Sequence, residues 1–534
     1  MILSAQNSRP AAALLMAALI MAQACGGDDD GAAPAGTSSP TASGGVPAAT
    51  IDIGGNTDVT KYAAQDVGDL VNVGVTVALG DFDDDGETDA LIGAPQADGP
   101  DNDRLDGGEA YVVFGPLDED RPLGAGSADV AFFGAAPGDG LGSTVASGDL
   151  NGDGVDDAII GAPGVTAGFD PRSDQGRVYV FYGRDDLGDD PERDLAEDIF
   201  DLTVTGAEGF SRLGHAIALG DVNGDGNQDL ITGAPFAGRV AGSPPGGERT
   251  ALGEVYVIYG VDGLSGERNV ARDEFDVLIS GGVAFGQFGS SVGVGDVNGD
   301  GLGDIVVGAY RGAAGGSQDS TTGAAYVFNG GARMKQRLSV EDGDQDATIV
   351  GPASSSFGFP LIVADFNGDT LADMAVGAQL QTSGLLDRQG AVHVILGSED
   401  IAGELEAGSV TTLTITGSIT GEIFPSGLAA ADIDGDGAAD LVAGSILAGP
   451  ADRPGSGIVH VFTGLSSAES TIDLSEAAAA VTILGAENDD RLGGAVAGGP
   501  LDGDQRGLLL VASQAETDSS DPNTGVVYVV PVTR

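Results

Sequence analysis

The chain has 534 residues, 41% of them hydrophobic, and a formal net charge of -60. Only 22 basic side chains face 82 acidic ones, which argues against nucleic-acid binding because phosphate backbones attract Lys and Arg. A single Cys rules out an intrachain disulfide, so the core and bound ions must hold the fold. The acidic residues fall into short clusters rather than one block, which favours an ordered chain with a supply of cation ligands.

The first 50 residues are typical of an export signal followed by a tether. One basic residue, Arg9, precedes an apolar run at 11–22 that is too short to span a membrane. Small residues before Cys25 and a Gly/Ala/Ser/Pro-rich stretch after it resemble a bacterial lipoprotein signal. That resemblance implies a signal peptide at 1–24, lipidation of Cys25, a flexible linker at 25–50, and a place in the cell envelope, at the outer membrane or surface, with the lipid anchor as the sole membrane contact. The alternative is plain secretion with an unpaired thiol.

Seven copies of one acidic stretch organise the rest of the chain. The first six have acidic or Asn residues at alternate positions, then a turn residue and a further Asp, then a short apolar run, and the seventh is a decayed copy. A spacing of about 70 residues indicates a repeat architecture rather than separate domains. The copies begin at Gly80, Gly148, Gly220, Gly295, Ala364, Ala431 and Gly499, and the second copy reads GDLNGDGVDDAIIGAP.

The stretches around each copy predict four β-strands per repeat. A small-residue strand precedes the acidic loop, the apolar run follows it, and two alternating segments come next, as in GRVYVFYG from Gly176 and DLTVTGA from Asp201. The chain ends on the seventh third strand, and TDVTKYAA from Thr57 has the character of the missing fourth. Its pairing with 525–532 would close the ring and remove a free edge. The sequence thus predicts an all-β, seven-bladed β-propeller with four-stranded blades over 51–534.

The repeat resembles the FG-GAP repeat. The resemblance is carried by Phe-Gly or Leu-Gly ahead of the loop, as at Phe288-Gly289, by the DxNxDGxxD loop, and by Gly-Ala-Pro after it. It implies the propeller of integrin α-subunits and of many bacterial integrin-like proteins, with a ligand-binding face opposite the acidic loops. Val73 in the first copy and Pro425 in the sixth depart from the pattern. No inserted metal-dependent adhesion domain is visible, so integrin-style heterodimers are not implied.

The acidic loops carry the ligands of a hard cation. Ca²⁺ takes roughly 6–8 oxygens, and each loop offers side chains at positions 1, 3, 5 and 9, counted from its first Asp, a backbone carbonyl at 7, and a turn at 6. Six loops keep this set, which predicts up to six Ca²⁺ sites. We call them loops 1–6, and their side-chain ligands are Asp81, Asp83, Asp85 and Asp89; Asp149, Asn151, Asp153 and Asp157; Asp221, Asn223, Asp225 and Asp229; Asp296, Asn298, Asp300 and Asp304; Asp365, Asn367, Asp369 and Asp373; and Asp432, Asp434, Asp436 and Asp440. The carbonyl ligands belong to Glu87, Val155, Asn227, Leu302, Leu371 and Ala438.

Two alternatives remain open for these loops: metal-free Asx turns, and Mg²⁺ in place of Ca²⁺. The seventh loop has Pro500 at position 1 and Leu508 at position 9 and is expected to bind no ion. Loop 5 has Thr370 at position 6, where the others have Gly. A β-branched residue is strained at positive φ, so loop 5 is expected to bind most weakly.

Function is expected on the face opposite the acidic loops. Variable loops on a rigid scaffold are the usual place for binding, and here they cover 96–107, 164–175, 236–252, 311–322, 380–389, 446–456 and 514–524. The sequence offers three His and no visible catalytic set or cofactor loop, so a non-enzyme is predicted. The favoured function is adhesion, or binding of an unknown protein or glycan. The alternatives are a scaffold subunit of an envelope complex, and a hydrolase-associated propeller acting on glycans or lipids.

Overall fold

The computed structural model describes residues 49–56, 59–64, 73–100, 102–124, 126–164, 174–197, 199–207, 210–238, 251–312, 321–383, 386–465, 470–500, 507–513 and 525–532. They lie in one compact unit, Gly44–Arg534. The predicted signal peptide, Cys25 and nearly all of the predicted linker are outside the described residues. Within these ranges no helix is long and apolar enough to cross a membrane.

The regular structure is almost entirely β-strand, and after the first two strands it repeats in groups of five. In chain order the strands are β1 (Ala49–Asp52) and β2 (Thr60–Ala64); β3 (Thr76–Gly80), β4 (Asp89–Ala94), β5 (Glu109–Val113), β6 (Arg121–Leu123) and β7 (Val130–Phe133); β8 (Thr144–Gly148), β9 (Asp157–Ala162), β10 (Arg177–Phe181), β11 (Glu192–Asp194) and β12 (Leu202–Thr205); β13 (Ala216–Gly220), β14 (Asp229–Ala234), β15 (Glu254–Ile258), β16 (Gly266–Asn269) and β17 (Val277–Ser280); β18 (Ser291–Gly295), β19 (Asp304–Ala309), β20 (Ala324–Phe328), β21 (Arg337–Ser339) and β22 (Ala347–Val350); β23 (Phe357–Ala364), β24 (Asp373–Ala378), β25 (Ala391–Ile395), β26 (Gly403–Glu406) and β27 (Leu413–Thr416); β28 (Leu428–Ala431), β29 (Asp440–Ser445), β30 (Ile458–Phe462), β31 (Thr471–Asp473) and β32 (Val481–Leu484); and β33 (Leu492–Pro500), β34 (Gly507–Ser513) and β35 (Val526–Val532). Short 3-10 turns cover Ile53–Gly55, Leu187–Asp189, Leu195–Glu197 and Val270–Arg272, and one α-helical turn covers Ala407–Val410.

Seven sheets form the blades of a propeller, as predicted. From the axis outwards, the strand orders are β3-β4-β5-β7-β11, β8-β9-β10-β12-β16, β13-β14-β15-β17-β21, β18-β19-β20-β22-β26, β23-β24-β25-β27-β31, β28-β29-β30-β32-β1 and β33-β34-β35-β2-β6. Neighbouring innermost strands contact each other all the way round, from β3 through β8, β13, β18, β23, β28 and β33 back to β3. The first four strands of each blade are antiparallel, so the acidic loops all leave the same face.

The N-terminal segment closes the last blade, which confirms the prediction for the stretch from Thr57. Strand β2 pairs antiparallel with β35, with Thr60 opposite Val529 and Tyr62 opposite Val527. The edge of the final third strand is therefore covered by the other end of the propeller.

Each blade also has a fifth strand that the prediction of four-stranded blades did not include. In every repeat a segment between the third and fourth strands crosses to the preceding blade and pairs parallel with its fourth strand, as β16 does with β12. In the same way β1 covers β32 of the sixth blade, and β6 covers β2. These strands have three or four residues and little apolar alternation, as in Glu192–Asp194 and Gly403–Glu406, so local pattern does not reveal them.

The glycine of Gly-Ala-Pro in one blade packs against the glycine of Phe-Gly or Leu-Gly in the next blade. An added Cβ on Gly161, in the second blade, would lie 2.4 Å from the carbonyl oxygen of Gly214, which follows Leu213 in the third. The equivalent distance from Gly233 to the Gly289 oxygen is 2.1 Å. Gly214 and Gly289 have φ of 84° and 82°. Glycine is thus needed at one position for close approach and at the other for backbone conformation.

The guanidinium of Arg453 fastens the N-terminal strand to the sixth blade. Its Nη1 and Nη2 donate to Asp52 Oδ1 and Oδ2 at 2.7 and 2.6 Å, and Nη1 also donates to the Gly485 carbonyl at 2.7 Å. Arg104 makes the same paired contact with Asp194 at the first blade. Both arginines therefore bind the last residue of a fifth strand.

We expect Arg453→Met to lower the unfolding free energy by up to about 1 kcal/mol at pH 7, because both side chains are partly exposed. The Arg453 guanidinium lowers the pKa of Asp52 from its usual value. The ion pair therefore stabilises the fold above pH about 4 and loses this effect as pH falls through the folded-state pKa. Denaturant midpoints of both proteins between pH 7 and 3 check this. A difference that widens on acidification would contradict it.

Candidate metal sites

Loops 1–6 share one framework of side chain to backbone hydrogen bonds. The carboxylate at position 1 accepts from the backbone N–H at position 6 over 2.7–3.0 Å in all six. The carboxylate at position 5 accepts from the N–H at position 7 over 2.8–3.0 Å, so residues such as Glu87 and Val155 sit at the turn back towards the sheet. The bonds to position 5 form Asx turns, and both sets of bonds suit a loop with or without an ion.

The carboxylate at position 9 begins the second strand and is buried in every loop. It accepts from the N–H at position 2 over 2.8–3.0 Å. Burial raises the pKa to about 7 for Asp89, Asp157, Asp229 and Asp440 and to about 6 for Asp304 and Asp373. Other carboxylates of the same loop add to the shift. An anion in this position is costly until a positive charge lies beside it.

Loop 1 fits a cation best. Ligand oxygens of Asp81, Asp83 and Asp89 lie within 4.8 Å of one another. Oδ1 of Asp81 and Oδ1 of Asp83 are buried, with less than 1 Å² exposed, and have no hydrogen-bond partner. Buried carboxylate oxygens of this kind are stabilised by a coordinated cation. Metal-free Asx turns leave these two atoms unexplained.

Loop 6 repeats the three-carboxylate cluster, with Asp432, Asp434 and Asp440 within the same 4.8 Å. In loops 2–5 position 3 is Asn, whose amide reaches a neighbouring predicted ligand. Asn223 and Asn298 donate from Nδ2 to position 9 at 3.2 and 3.0 Å. Asn151 and Asn367 donate to position 5, both at 2.9 Å. An amide turned to present Oδ1 would serve as a neutral ligand, so these four loops offer the same ligand positions with one charge fewer.

Position 6 of loop 5 has the conformation that the sequence predicts. Thr370 has φ of 78°, and the glycines at this position in the other loops have φ of 85–95°. An added Cβ on those glycines would meet nothing within 4 Å, so Thr370 is disfavoured by its backbone conformation and not by crowding.

We expect Thr370→Gly to tighten Ca²⁺ binding at loop 5 by about fivefold, which corresponds to relief of about 1 kcal/mol of strain. Titration of Ca²⁺ followed at loop 5 by hydrogen exchange measures the effect. Gly226→Thr is the matched control, because it places the same strain in loop 3 and should weaken that site. Unchanged binding at loop 5 would show that strain does not limit the site.

The seventh loop has Asp502 and Asp504 outside the described residues, whereas Leu508 is buried in β34. That this loop binds no ion stays a prediction.

Large exposed hydrophobic side chains gather on the face opposite the acidic loops. Six are exposed among the described residues, and five of them lie in loops that open on that face: Leu105, Phe210, Phe285, Ile419 and Leu447. Of these six described side chains, Val261 alone lies on the face of the acidic loops. Three of the five follow fourth strands, in loops outside the predicted variable set. Much of that variable set, including 165–173 and 239–250, lies outside the described residues.

Phe210 and Phe285 have a backbone conformation that disfavours bulky residues. Their φ angles are 62° and 58°, and their side chains are 48% and 63% exposed. Each stands four residues before the motif glycine of the next repeat. The corresponding places have small or polar residues in four of the other five repeats, Gly138, Ser354, Gly421 and Asp489, and Leu70 in the first. The equivalent residues just named also have positive φ where they are described, so this turn belongs to the repeat, and the third blade differs in having an exposed aromatic ring in the turn on each side of it.

Two of the three His have side chains packed between strands. His393 in β25 lies with Nε2 2.7 Å from Gln381 Oε1 and Nδ1 3.2 Å from Thr411 Oγ1. His460 in β30 is buried against Phe424 and Phe462, and neither ring nitrogen has a hydrogen-bond partner. Burial lowers the pKa of both to about 4, so they are neutral at pH 7. His215, which directly precedes β13, is partly buried.

Four segments match the FG-GAP repeat family: 141–181, 213–258, 288–328 and 424–462. They contain the second, third, fourth and sixth acidic loops. The structure is thus a seven-bladed β-propeller in which four of the seven repeats match the FG-GAP repeat family.

The chain is also similar to two kinds of larger protein. It is 30% identical over 228 residues to phosphatidylinositol-glycan-specific phospholipase D of Rattus norvegicus, which covers 41% of this chain and 24% of that protein. It is 30% identical over 271 residues to integrin alpha pat-2 of Caenorhabditis elegans, covering 47% and 19%, and 28% identical over 285 residues to integrin alpha-IIb of Homo sapiens, covering 52% and 24%. The chain thus matches less than a quarter of the length of each relative.

Proposed function

We propose that this protein is an exported, Ca²⁺-binding propeller that binds a protein or glycan through the face opposite loops 1–6, in adhesion at the cell envelope. The observation that carries the proposal is the pair of exposed phenylalanines, Phe210 and Phe285, on strained backbone at that face. Five of the six large exposed hydrophobic side chains among the described residues lie on this face, which supports an interaction site there. Similarity to integrin alpha chains supports adhesion as the setting.

The ions have a structural role in this proposal. Buried carboxylates at position 9 and the unpartnered oxygens of Asp81 and Asp83 would be held by Ca²⁺, which binds the folded loops and stabilises them by mass action. One face of the propeller becomes rigid, and the opposite face presents the partner site on a fixed frame.

Attachment through a lipid at Cys25 is part of the proposal and rests on the sequence around that residue. Expression with labelled palmitate in a bacterial host tests it. Label should appear in the wild-type chain and be absent from Cys25→Ser. Equal labelling of both would rule out this anchor.

We expect Phe285→Gly and Phe210→Gly to weaken partner binding at least tenfold while raising the unfolding free energy by about 1 kcal/mol each, because glycine adopts positive φ without strain. Binding to glycan arrays and to arrayed envelope proteins identifies the partner, and melting measures stability. Val261→Ser on the other face is the control and should leave binding unchanged. Full binding by both glycine variants would remove these residues from the site.

A second candidate is a hydrolase-associated propeller acting on glycans or lipids, which the similarity to phospholipase D proteins favours. Incubation of the full chain with a phosphatidylinositol-glycan-anchored protein, followed by assay for the released soluble form, separates the two functions. Binding without release fits adhesion. Release that is abolished by substitution of a single carboxylate on the face opposite loops 1–6 would establish the hydrolase.

A further inference from the structure

Backbone hydrogen bonds join most neighbouring acidic loops. The N–H at position 8 of one loop donates to the carbonyl oxygen at position 1 of the loop before it. Position 8 lies between the predicted carbonyl ligand at 7 and the carboxylate at 9, and position 1 carries the first carboxylate. Four such bonds are present: Asp156 to Asp81 at 3.1 Å, Gly303 to Asp221 at 2.9 Å, Ala372 to Asp296 at 2.8 Å and Ala439 to Asp365 at 2.8 Å.

A second connection runs through the end of the third strand. In the second blade, Gly183 donates its N–H to the position 9 carboxylate of Asp157 at 3.1 Å. The next residue, Arg184, donates its N–H to the carbonyl oxygen of Phe82 in loop 1 at 3.0 Å. The adjacent N–H groups of Gly183 and Arg184 thus connect loop 2 to loop 1. The same pair of bonds links loop 4 to loop 3 through Gly330 and Gly331, and loop 5 to loop 4 through Gly397 and Ser398.

Between loops 2 and 3 the bond from position 8 is missing, and of the second connection only the bond from Gly260 N–H to the Asp229 carboxylate, at 3.0 Å, is present among the described residues. Residues 149–157, 221–229 and 259–262 are all described, and within them no backbone hydrogen bond joins loop 3 to loop 2. Position 8 of loop 3 is Gln228, whose side chain packs against Gly148 of the preceding blade. The linked loops therefore form two groups, one of loops 1 and 2 and one of loops 3 to 6.

We infer that Ca²⁺ binds cooperatively within each of these two groups and independently between them. The inference rests on the proposed Ca²⁺ binding. An ion bound in one loop fixes the ligands at positions 7 and 9 of that loop, and so fixes the position 8 N–H that lies between them. This N–H donates to the position 1 carbonyl of the preceding loop and so orients the first ligand residue of that loop. The preceding loop is then partly ordered before it binds its own ion, and this raises the affinity of that loop for Ca²⁺. By linkage the effect is mutual, so either loop of a linked pair favours the other.

The test disables loop 3 and compares its two neighbours in the same molecule. Asp225→Ala removes the position 5 ligand, whose carboxylate accepts a hydrogen bond from the Asn227 N–H. Hydrogen exchange of the full chain across a Ca²⁺ titration gives a midpoint of protection for each loop. We expect the midpoint of loop 4 to rise about fivefold and that of loop 2 to stay unchanged. Equal shifts in both, or no shift in loop 4, would overturn the inference.

A second variant, with loop 2 disabled, tests the same inference independently of any folding defect in the first. Asp153→Ala in loop 2 should raise the midpoint of loop 1 and leave loop 3 unaffected. If Asp225→Ala fails to fold, Asp225→Asn is used in its place, because the Asn side chain keeps an acceptor for the Asn227 N–H. Wild-type protein without Ca²⁺-dependent protection in any loop would refute the proposed Ca²⁺ binding itself. Protection in all loops with midpoints that ignore their neighbours would refute only the coupling.

Discussion

Chelation with EDTA is expected to lower the melting temperature by roughly 8 °C relative to protein in 1 mM Ca²⁺. An ion at about ten times its dissociation constant stabilises the folded state by about 1.4 kcal/mol per site, so six sites contribute about 8 kcal/mol. A propeller of this size has an unfolding entropy of about 1 kcal/mol per kelvin, so a loss of about 8 kcal/mol lowers the melting temperature by about 8 °C. Calorimetry with and without chelator measures the shift.

The control for chelation is a variant with loop 1 disabled. Loop 1 has the two buried oxygens without partners, so its ion should account for at least its proportional share of the shift. Asp85→Ala removes the position 5 ligand of loop 1, the carboxylate that accepts from the Glu87 N–H. The chelator-induced shift should be smaller for this variant than for the wild type. An unchanged melting temperature on chelation would refute the structural role of the ions.

Tyr62→Ala is expected to lower the unfolding free energy by about 3–5 kcal/mol, because it removes a large buried side chain from the strand that closes the ring. Tyr62 is fully buried in β2 and packs in a cluster with Leu123, Val527 and Val529. Loosening β2 also exposes the edge of β35. Urea unfolding measures the loss, and light scattering reports aggregation through the open edge.

Tyr62→Phe is the matched control for ring closure. The Tyr62 hydroxyl is buried and has no hydrogen-bond partner, so removing it should leave stability unchanged or raise it slightly. The two variants together separate packing from hydrogen bonding. Equal destabilisation by both would mean that the hydroxyl, and not the ring, holds the closing strand.

Regular spacing made the propeller predictable from sequence. Seven acidic stretches and seven alternating third strands give the blade number, and the missing last fourth strand points to the segment from Thr57. The fifth strands were not predictable in this way, since segments such as Gly266–Asn269 are short, polar and paired with another blade. Repetition offers one signal: Thr471–Asp473 and 50–52 both read Thr-Ile-Asp, and both lie in fifth strands.

The ligand positions were predictable because they follow one another along a short loop. Thr370 shows this, since its positive φ follows from the glycines at the same place in other copies. The links between loops were not predictable, because Asp156 and Asp81 are far apart in the chain and meet through blade packing. Phe210 and Phe285 were missed for a similar reason: exposure and backbone strain appear only in the folded chain.

The number of Ca²⁺ ions bound per chain tests the central claim most directly. Equilibrium dialysis of the full chain against saturating Ca²⁺, with metal analysis of both sides, gives this number. Six intact loops on one face predict six ions per chain, with loop 5 the last to fill. A count of two or fewer would contradict the account, because ions would then bind at most in loops 1 and 6, where three carboxylates converge.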